Sequence, residues 1–345
     1  MNSNKIKPLL EIKNVLEVCE RHGFLQKLGQ YLKIAPMGSL LLHNLKNEFY
    51  RNMVINKDYT VFPNESNSFK KSFLYAKETC SSQFPFGIVE KILDKTSNDG
   101  FLGYFDNNEV IKCNVFVAPQ LATAFYHQLQ RQRRMWWRIF SASPGRYILS
   151  DIQNNDVFQS VEIKAEYPWG LELIEKINLF KNLHPELNKD LFQGSITPCY
   201  ITSEISLQSM LINTLCDAYD ATLHQNTSRI MFRFHRKLAP YKISFSISKS
   251  QKNASTEDLL QLAIFISKQL RENNISCLLL PKAGKDSLEE QWMFYDCLGI
   301  PYNVILTDET LKNGIVQLRS RDTTLKEQIH VGELPKYVEQ LFKNY

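Results

Sequence analysis

The sequence lacks several features that mark common classes of protein. It contains no apolar run long enough to cross a membrane as a helix, so no membrane association is expected. Its seven cysteines are isolated and form no Cys-x-x-Cys pair. Neither a disulfide framework nor a zinc site is therefore indicated, and a reducing compartment fits best. Charged residues make up only 22% of the chain, which argues against long disordered segments.

What the sequence does contain is enough apolar material for a sizeable core. The chain has 345 residues, of which 43% are hydrophobic, and this length suits two or three domains. The formal net charge of +5 is a mild bias toward anionic partners. The amino terminus carries Lys5 and Lys7 but no arginine, and no acid before Glu11. This is a poor match to a mitochondrial transit peptide, so we expect a presequence that is short and atypical or already removed.

The first two thirds of the sequence predict a mixture of helices and strands. The stretch 121–140, which no Gly or Pro interrupts, predicts a helix, and apolar residues at helical spacing predict another that opens after Tyr167-Pro168-Trp169-Gly170. Residues 53–62 predict strands, and the polar stretch 64–83 predicts a loop. Residues 182–235 predict short strands that alternate with turns.

The last third of the sequence alternates strands with helices. Residues 241–248 alternate apolar side chains with serines, which predicts a half-buried strand. Asn313-Gly314 predicts a tight hairpin turn, because a type I′ turn needs positive φ at both central residues. Pro335 fits the first turn of a closing helix. This order of elements indicates a small mixed α/β sheet.

Local strings in this last third resemble the anticodon-binding domain that closes class II aminoacyl-tRNA synthetases of the glycyl, prolyl, threonyl and histidyl group. The strings are Leu238-Ala239-Pro240, Leu298-Gly299-Ile300-Pro301-Tyr302, Asn313-Gly314 and Leu318-Arg319-Ser320-Arg321-Asp322-Thr323-Thr324. The resemblance implies an α+β fold. A degenerate class II synthetase-like domain with an antiparallel sheet would occupy residues 1–235. An anticodon-binding-like α/β domain, with a mixed sheet and flanking helices, would occupy residues 236–345.

Two arginines that class II synthetases use to bind ATP are missing from their expected places. The first should follow Phe84-Pro85-Phe86-Gly87, yet no arginine occurs between Arg51 and Arg131. The second should follow a Gly-x-Gly stretch shortly before Leu238, and Arg229 lies near that place without such a stretch before it. Triphosphate charge in a partly dry site needs such planar cations. We therefore expect no enzymatic activity, no catalytic residues, no metal and no cofactor.

Further strings are similar to one catalytically silent branch of this family, the accessory (beta) subunits of the mitochondrial DNA polymerase, polymerase gamma. They are Arg134-Met135-Trp136-Trp137-Arg138-Ile139-Phe140, Tyr167–Glu175, Thr310–Gly314 and Leu318–Glu327. The resemblance implies a processivity subunit of the mitochondrial matrix and nucleoid. Its partners would be the catalytic subunit of the polymerase and double-stranded or primer–template DNA.

The same resemblance bears on stoichiometry. Vertebrate relatives dimerise through a long helical hairpin inserted before the equivalent of Phe84-Pro85-Phe86-Gly87. Here that region is only the stretch from Asn64 to Gln83, which is too short for two substantial helices and their turns. We therefore expect a one-to-one heterodimer with the polymerase and no obligate homodimer.

The first group of candidate binding residues lies in the last third of the chain. In an extended strand Arg319 and Arg321 share one face, which predicts a cationic strip toward the polymerase or DNA. The alternative is a solvated face on which Asp322 pairs with one arginine. Lys326 belongs to the same matching string, and Gly314 would act indirectly, through its backbone conformation.

A second group of candidates combines basic residues with aromatic ones. Arginines surround Trp136-Trp137 on the predicted helix, an arrangement that suits phosphate contact and base stacking. Adjacent helical residues point about 100° apart, so at least one tryptophan is expected in the core. A lysine pair lies in the predicted polar loop. The candidates for DNA binding are Arg131, Arg133, Arg134, Arg138, Lys70 and Lys71.

Two other functions stay open. One is a tRNA- or RNA-binding paralogue of a synthetase that kept the role of its carboxy-terminal domain. The other is an active class II synthetase, which the missing arginines oppose.

Overall fold

A computed structural model describes residues 11–65, 68–94, 100–192, 196–224, 227–248, 253–280 and 286–343. The prediction for the amino-terminal lysines Lys5 and Lys7 lies outside these residues. The helices are α1 Ile12–Arg21, α2 Pro36–Tyr50, α3 Phe69–Thr79, α4 Ala122–Phe140, α5 Leu207–Ala218, α6 Asn253–Glu272, α7 Leu288–Cys297, α8 Asp308–Asn313 and α9 Leu334–Lys343. Within the described ranges, no helix is both long and apolar enough to cross a membrane.

The strands of the described ranges form several sheets. They are β1 Leu25–Leu28, β2 Tyr31–Ile34, β3 Val61–Asn64, β4 Phe86–Asp94, β5 Asn108–Val117, β6 Tyr147–Leu149, β7 Gln153–Asn154, β8 Phe158–Tyr167, β9 Gly170–Phe180, β10 Cys199–Ser206, β11 Tyr219–His224, β12 Thr227–Phe232, β13 Ile243–Ile247, β14 Cys277–Leu278, β15 Tyr302–Leu306, β16 Ile315–Ser320 and β17 Lys326–His330.

The chain divides into two compact units. The first, here called the antiparallel unit, comprises Leu25–Ala35 and Leu45–Thr214. The second, here called the mixed-sheet unit, comprises the chain up to Phe24, Pro36–Asn44 and the chain from Leu215 onward. The domain boundary expected after residue 235 stays a prediction.

The antiparallel unit is built on one large sheet with strand order β3-β4-β5-β10-β9-β8-β6, and β7 pairs with β8. Neighbouring strands run antiparallel, except that β3 runs parallel to β4. Side chains alternate between the two faces, so that Cys113 and Val115 lie on one face of β5 while Asn114 and Phe116 lie on the other. The predicted antiparallel sheet is confirmed.

Helices α3 and α4 cover opposite faces of this sheet. On one face, the Tyr126 hydroxyl of α4 donates to the carbonyl of Ile177. On the other face, Phe73 of α3 makes an edge contact with Phe116, with 4.8 Å between ring centroids. The helix predicted over 121–140 is confirmed as α4.

Of two predicted elements upstream of β4, one is right only at its end and the other is wrong. The stretch 53–62 was expected to form strands, but α2 continues as a π-helical turn over Arg51–Ile55, because Met53 extends its buried side, and strand β3 begins at Val61. The stretch 64–83 was expected to be a loop, but it contains α3. The Ser68 hydroxyl accepts a hydrogen bond from the backbone of Lys71 and caps this helix. Its polar composition concealed the buried residues at helical spacing, which are Phe69, Phe73 and Ala76.

The helix predicted after Gly170 is also wrong, because this segment is strand β9, paired with β8 in a hairpin. The register shifts between Ile163 and Lys164, which face Glu175 and Leu173, so Ile174 forms a bulge. The bulge interrupts the alternation of apolar and polar residues and imitates helical spacing. The stretch 182–235, expected to form short strands and turns, contains the central strand β10 and the hairpin of β11 and β12, but also helix α5, which was not predicted.

The mixed-sheet unit contains a second sheet with strand order β14-β13-β15-β16-β17. The central strand β13 runs parallel to β14 and β15, whereas β15, β16 and β17 are antiparallel. This confirms the predicted mixed sheet. Strand β13 is buried on both faces rather than half-buried, and Asn303 of β15 donates to the Ser244 hydroxyl at 2.8 Å. The hydrogen bond satisfies a polar group that the alternating pattern assigned to the surface.

Candidate functional site

Arg319 on β16 is buried, although the alternating pattern predicted a solvent-facing cationic strip. Its exposed fraction is 5%. The guanidinium donates two hydrogen bonds to the carboxylate of Asp296 on α7, from Nη1 to Oδ1 and from Nη2 to Oδ2, both at 3.0 Å. The predicted strip is therefore wrong in its geometry, because α7 covers this face of the strand and supplies the opposite charge.

Asp296 is shared with a second arginine. Arg229 on β12 donates to Oδ2 of Asp296 from Nη2 at 2.6 Å and from Nε at 3.2 Å. Asp296 is only 2% exposed, so one buried carboxylate holds two guanidinium groups from two different strands. Arg229, the arginine nearest the expected ATP-binding position, is thus engaged in holding α7 in place.

Arg321 is also buried, with 2% of its surface exposed. Its Nη1 donates to the carbonyl of Gly299 at 2.7 Å and its Nη2 to the carbonyl of Phe234 at 3.0 Å. Its Nε donates to Asp322 at 2.9 Å, so the alternative pairing with Asp322 occurs, but on a buried face. The side chain satisfies buried carbonyl groups. A direct contact of Arg319 or Arg321 with a partner stays a prediction.

Lys326 is the exposed member of this group of candidates. Its ammonium lies 4.4 Å from the ring centroid of Trp292, and the Arg319 guanidinium lies 5.2 Å from the same ring. The tryptophan therefore links the buried arginine to a surface cation through two cation–π contacts. Of the candidates on β16 and β17, Lys326 is the one that a partner can reach without rearrangement.

Gly314 ends helix α8 rather than turning a hairpin. It adopts a left-handed conformation with φ 71° and its N–H donates to the carbonyl of Thr310 at 2.9 Å. Thr307 and Thr310 form a reciprocal cap at the start of the helix, which is why the sequence before Gly314 is helical. The predicted hairpin at Asn313-Gly314 is wrong, but the predicted requirement for positive φ is met at Gly314.

Gly314→Ala is expected to lower the free energy of unfolding by about 1–2 kcal/mol. A Cβ atom there would be strained by the positive φ and would approach Nε2 of His330 to 2.8 Å. Chemical denaturation measures the change. Gly145→Ala is the matched control, because a Cβ atom at Gly145 meets no heavy atom within 4 Å. Equal losses in the two variants would contradict this account.

The arginines of α4 divide into one buried residue and three at the surface. Arg133 has no exposed surface, and its guanidinium forms a two-point ion pair with Glu175, with Nε to Oε1 at 2.7 Å and Nη2 to Oε2 at 3.1 Å. It also stacks between Phe49 and Trp136 at 4.9 and 4.5 Å. The assignment of Arg133 as a contact to DNA is therefore wrong, because its guanidinium is buried against the sheet and paired with the Glu175 carboxylate of β9.

Glu175 is the centre of this buried network. Besides Arg133, its carboxylate accepts hydrogen bonds from the Ser203 hydroxyl at 2.6 Å and from Nε1 of Trp137 at 2.8 Å. Trp136 and Trp137 are both buried, which confirms the expectation that at least one lies in the core. Four polar contacts to one carboxylate from α4 and β10 fix the helix on the sheet.

The other three arginines of α4 form a basic stripe. Arg131 is exposed and Arg134 and Arg138 are half-buried. Their spacing of three and then four residues places them on one side of the helix, along about 10 Å. The exposed Met135 and Ile139 lie beside them, four residues apart, a pair that the sequence analysis did not single out. This stripe, defined as Arg131, Arg134 and Arg138, is called the α4 stripe below.

Lys70 and Lys71 are exposed on α3 rather than in a loop. Because α3 and α4 lie on opposite faces of the sheet, these lysines are not continuous with the α4 stripe. Within the described ranges, no group of three or more His, Cys, Asp or Glu side chains could hold a metal ion.

The fold and the sequence point first to a class of domain. The anticodon-binding domain family matches residues 245–341, which lie in the mixed-sheet unit. The synthetase-like α+β fold expected from the sequence is thereby supported at the carboxy terminus.

The particular relatives extend this similarity to most of the chain. The mitochondrial DNA polymerase subunit gamma-2 of Drosophila melanogaster is 31% identical over 242 residues, which cover 66% of this chain and 65% of that protein. The mitochondrial subunit gamma-2 of Xenopus laevis is 27% identical over 77% of this chain and 61% of its own length. A glycine–tRNA ligase of Borrelia hermsii is 24% identical over 69% of this chain and 56% of its own length.

The resemblance to polymerase gamma accessory subunits and, more distantly, to glycyl synthetases is thus confirmed. The chain spans about half to two thirds of the length of the curated relatives it matches.

Proposed function

We propose that this protein is a non-catalytic accessory subunit of a mitochondrial DNA polymerase, which binds the catalytic subunit and duplex DNA and raises processivity. The observation that carries the proposal is the similarity to several proteins named DNA polymerase subunit gamma-2, at 27–31% identity, against 23–24% for the glycine–tRNA ligases. Their name also supports a mitochondrial location, in the matrix and nucleoid. The two arginines missing from the ATP-binding positions support the absence of catalysis.

The α4 stripe is the surface that we assign to DNA. Its guanidinium groups have no acidic partner among the described residues, so they are available to phosphates. Contacts of this kind are independent of sequence and weaken steeply with salt. The lysines of α3 and the exposed Lys326 are the remaining candidates for contact with DNA or the polymerase.

The direct test is primer extension by a mitochondrial polymerase catalytic subunit at about 100–150 mM salt, where phosphate contacts are already weakened. We expect longer products in the presence of this protein than in its absence. Unchanged product length, with both proteins folded, would contradict the accessory role.

Replacing all three arginines of the α4 stripe with alanine is expected to weaken binding to duplex DNA. The slope of log affinity against log salt concentration should become shallower by about 1 for each phosphate that is no longer neutralised, and so by about 3 for the triple variant. Fluorescence anisotropy at several salt concentrations measures both quantities. The double variant Lys70→Ala, Lys71→Ala tests α3 separately, and Lys27→Ala serves as a control for the removal of an exposed charge. An unchanged slope in the triple variant would contradict the assignment of the α4 stripe to DNA binding.

The second candidate function is that of a tRNA-binding synthetase paralogue, which the anticodon-binding domain and the similarity to glycine–tRNA ligases favour. Competition between tRNA and primer–template duplex distinguishes it, because a paralogue of this kind would prefer tRNA. An active synthetase, the third candidate, would catalyse ATP–pyrophosphate exchange, and we expect none.

A one-to-one complex with the polymerase is part of the proposal. The stretch between β3 and β4 contains the single 11-residue helix α3 in its described part, which supports the expected lack of a dimerising hairpin. Light scattering should give the isolated protein the mass of one chain, 40.2 kDa. A mass of twice that value would contradict the expected stoichiometry.

A further inference from the structure

Helix α8 ends at Asn313-Gly314, which is the only Asn-Gly pair in the sequence. The Asn313 side chain is exposed, and its Oδ1 accepts a hydrogen bond from the backbone N–H of Ile315 at 2.9 Å. This contact is an Asx turn, in which an asparagine side chain folds back over the next peptide group. The ring that the hydrogen bond closes contains both the carboxamide carbon of Asn313 and the backbone nitrogen of Gly314.

The hydrogen bond from Ile315 has a chemical consequence for the carboxamide. Attack by a nucleophile on the carboxamide carbon places negative charge on Oδ1, and an N–H that already donates to this oxygen stabilises that charge. The nitrogen of Gly314 is the nearest nucleophile along the chain, and glycine has no side chain to obstruct its approach. Three consecutive residues therefore supply the electrophilic carbon, the nucleophile and the donor to the oxygen.

The fold itself requires the glycine that makes this pair reactive. Gly314 has φ 71°, and a Cβ atom there would lie 2.8 Å from Nε2 of His330. A residue with a side chain would be strained at this position. The small residue after Asn313 is thus a structural necessity at the end of α8.

A second hydrogen bond restrains the nucleophile. The Gly314 N–H donates to the carbonyl of Thr310 at 2.9 Å, and the nitrogen must lose this proton before it can attack. Helix α8 has only six residues, and its start is held by a hydrogen bond from the Thr307 N–H to Oγ1 of Thr310 at 3.1 Å. A helix this short opens more readily than the core of a domain, so its opening controls how often the nitrogen is available.

We propose that Asn313 is a site of spontaneous deamidation, controlled by the opening of α8. The deprotonated nitrogen of Gly314 attacks the carboxamide carbon, the bond from that carbon to the side-chain nitrogen breaks, and ammonia leaves with a proton taken from water. The resulting cyclic imide adds one water molecule and opens at either of its two carbonyl carbons. The products are aspartate and isoaspartate, and the reaction needs no oxidant, reductant or enzyme.

Both products alter the junction between α8 and β16. Aspartate places a negative charge at the carboxyl end of a helix, where the helix dipole opposes it. Isoaspartate also lengthens the backbone by one methylene group shortly before β16, which begins at Ile315 and pairs with β15 and β17. Deamidation would therefore accumulate with the age of the molecule and loosen this part of the mixed sheet. This inference does not depend on the proposed accessory role.

The test incubates the full chain at mildly alkaline pH and follows deamidation of each asparagine by peptide mass spectrometry. Asn182 and Asn188 are internal references, because both are exposed and are followed by residues that carry side chains. We expect Asn313 to deamidate severalfold faster than either reference, and more slowly at mildly acidic pH, since the nitrogen must lose a proton. A rate at Asn313 no higher than at the references, or one that does not fall at mildly acidic pH, would overturn the proposal.

A substitution in α8 tests the control by helix opening. Thr310→Val keeps the shape of the buried side chain and removes the acceptor of the Thr307 N–H. Deamidation of Asn313 should become about fivefold faster, which corresponds to the loss of one hydrogen bond of about 1 kcal/mol. Thr123→Val, at an exposed threonine of α4, should leave the rate unchanged.

Denaturant separates the effect of the helix from the chemistry of the pair. With α8 unfolded, the wild-type chain and Thr310→Val should deamidate at equal rates, because the Gly314 nitrogen is equally available in both. An unchanged rate in folded Thr310→Val, or a difference that persists in denaturant, would overturn the control by α8.

Discussion

Asp296→Ala is expected to lower the free energy of unfolding of the mixed-sheet unit by about 3–5 kcal/mol. The carboxylate is buried and is the acidic partner of both Arg319 and Arg229. Its removal leaves two guanidinium groups without a countercharge, and Arg319 cannot reach water without moving α7. Removing one partner of a buried ion pair costs far more than the pair itself contributes, since desolvation is no longer offset.

The measurement is chemical denaturation of the full chain, with amide hydrogen exchange of β15 and β16 as the local readout. Glu309→Ala is the matched control, because Glu309 pairs with Lys312 at the surface of the same unit, where an ion pair contributes about 0–1 kcal/mol. Asp296→Asn keeps the shape of the side chain and removes its charge. Its loss in the free energy of unfolding should lie between those of Asp296→Ala and Glu309→Ala. A decrease below about 1 kcal/mol for Asp296→Ala would mean that water enters the cluster and replaces the carboxylate.

Arg133→Met is expected to destabilise the antiparallel unit by a similar amount, about 3–5 kcal/mol. The arginine is fully buried, and its removal leaves the charged Glu175 with the Ser203 hydroxyl and Trp137 as its partners and no cation. The double variant Arg133→Met, Glu175→Gln removes both charges. Its destabilisation should be smaller than the sum of the two single effects, because neither partner is left unpaired.

Hydrogen exchange of β9 and β10 reports this effect locally, alongside denaturation of the full chain. Arg134→Met is the matched control on the same helix and should change stability by no more than about 0.5 kcal/mol. Strict additivity in the double variant would show that Arg133 and Glu175 act independently, against the geometry. The result also matters for binding assays, since weaker DNA affinity in an Arg133 variant would reflect damage to the fold.

The sequence predicted the positions of some elements better than the direction in which side chains face. Helix α4 was predicted within one residue because no Gly or Pro interrupts residues 121–140. Alternation along β16 correctly placed Arg319 on the face opposite Val316 and Leu318, whereas Arg321 lies in the turn after the strand, where alternation no longer applies. The alternating pattern does not show that the face carrying Arg319 is covered, because the residue that covers it, Asp296, lies on helix α7, 23 residues away in sequence.

Other errors have local causes. At Ile174 a single bulge residue changed the phase of the pattern, so a strand carried the spacing of a helix. On α3 the polar composition outweighed a short apolar stripe. At Gly314 the backbone conformation was predicted correctly and the element wrongly, since a helix end and a hairpin turn both use positive φ.

The placement of α3 and α4 on opposite faces of one sheet has a practical consequence. Molecules bound at the α4 stripe and at Lys70 and Lys71 do not compete for the same space, because a layer of strands separates them. A duplex along one helix leaves the other free for an acidic protein surface. The two basic regions could thus hold two partners at once, and a fluorescent probe attached beside Lys71 would report on one partner without displacing the other.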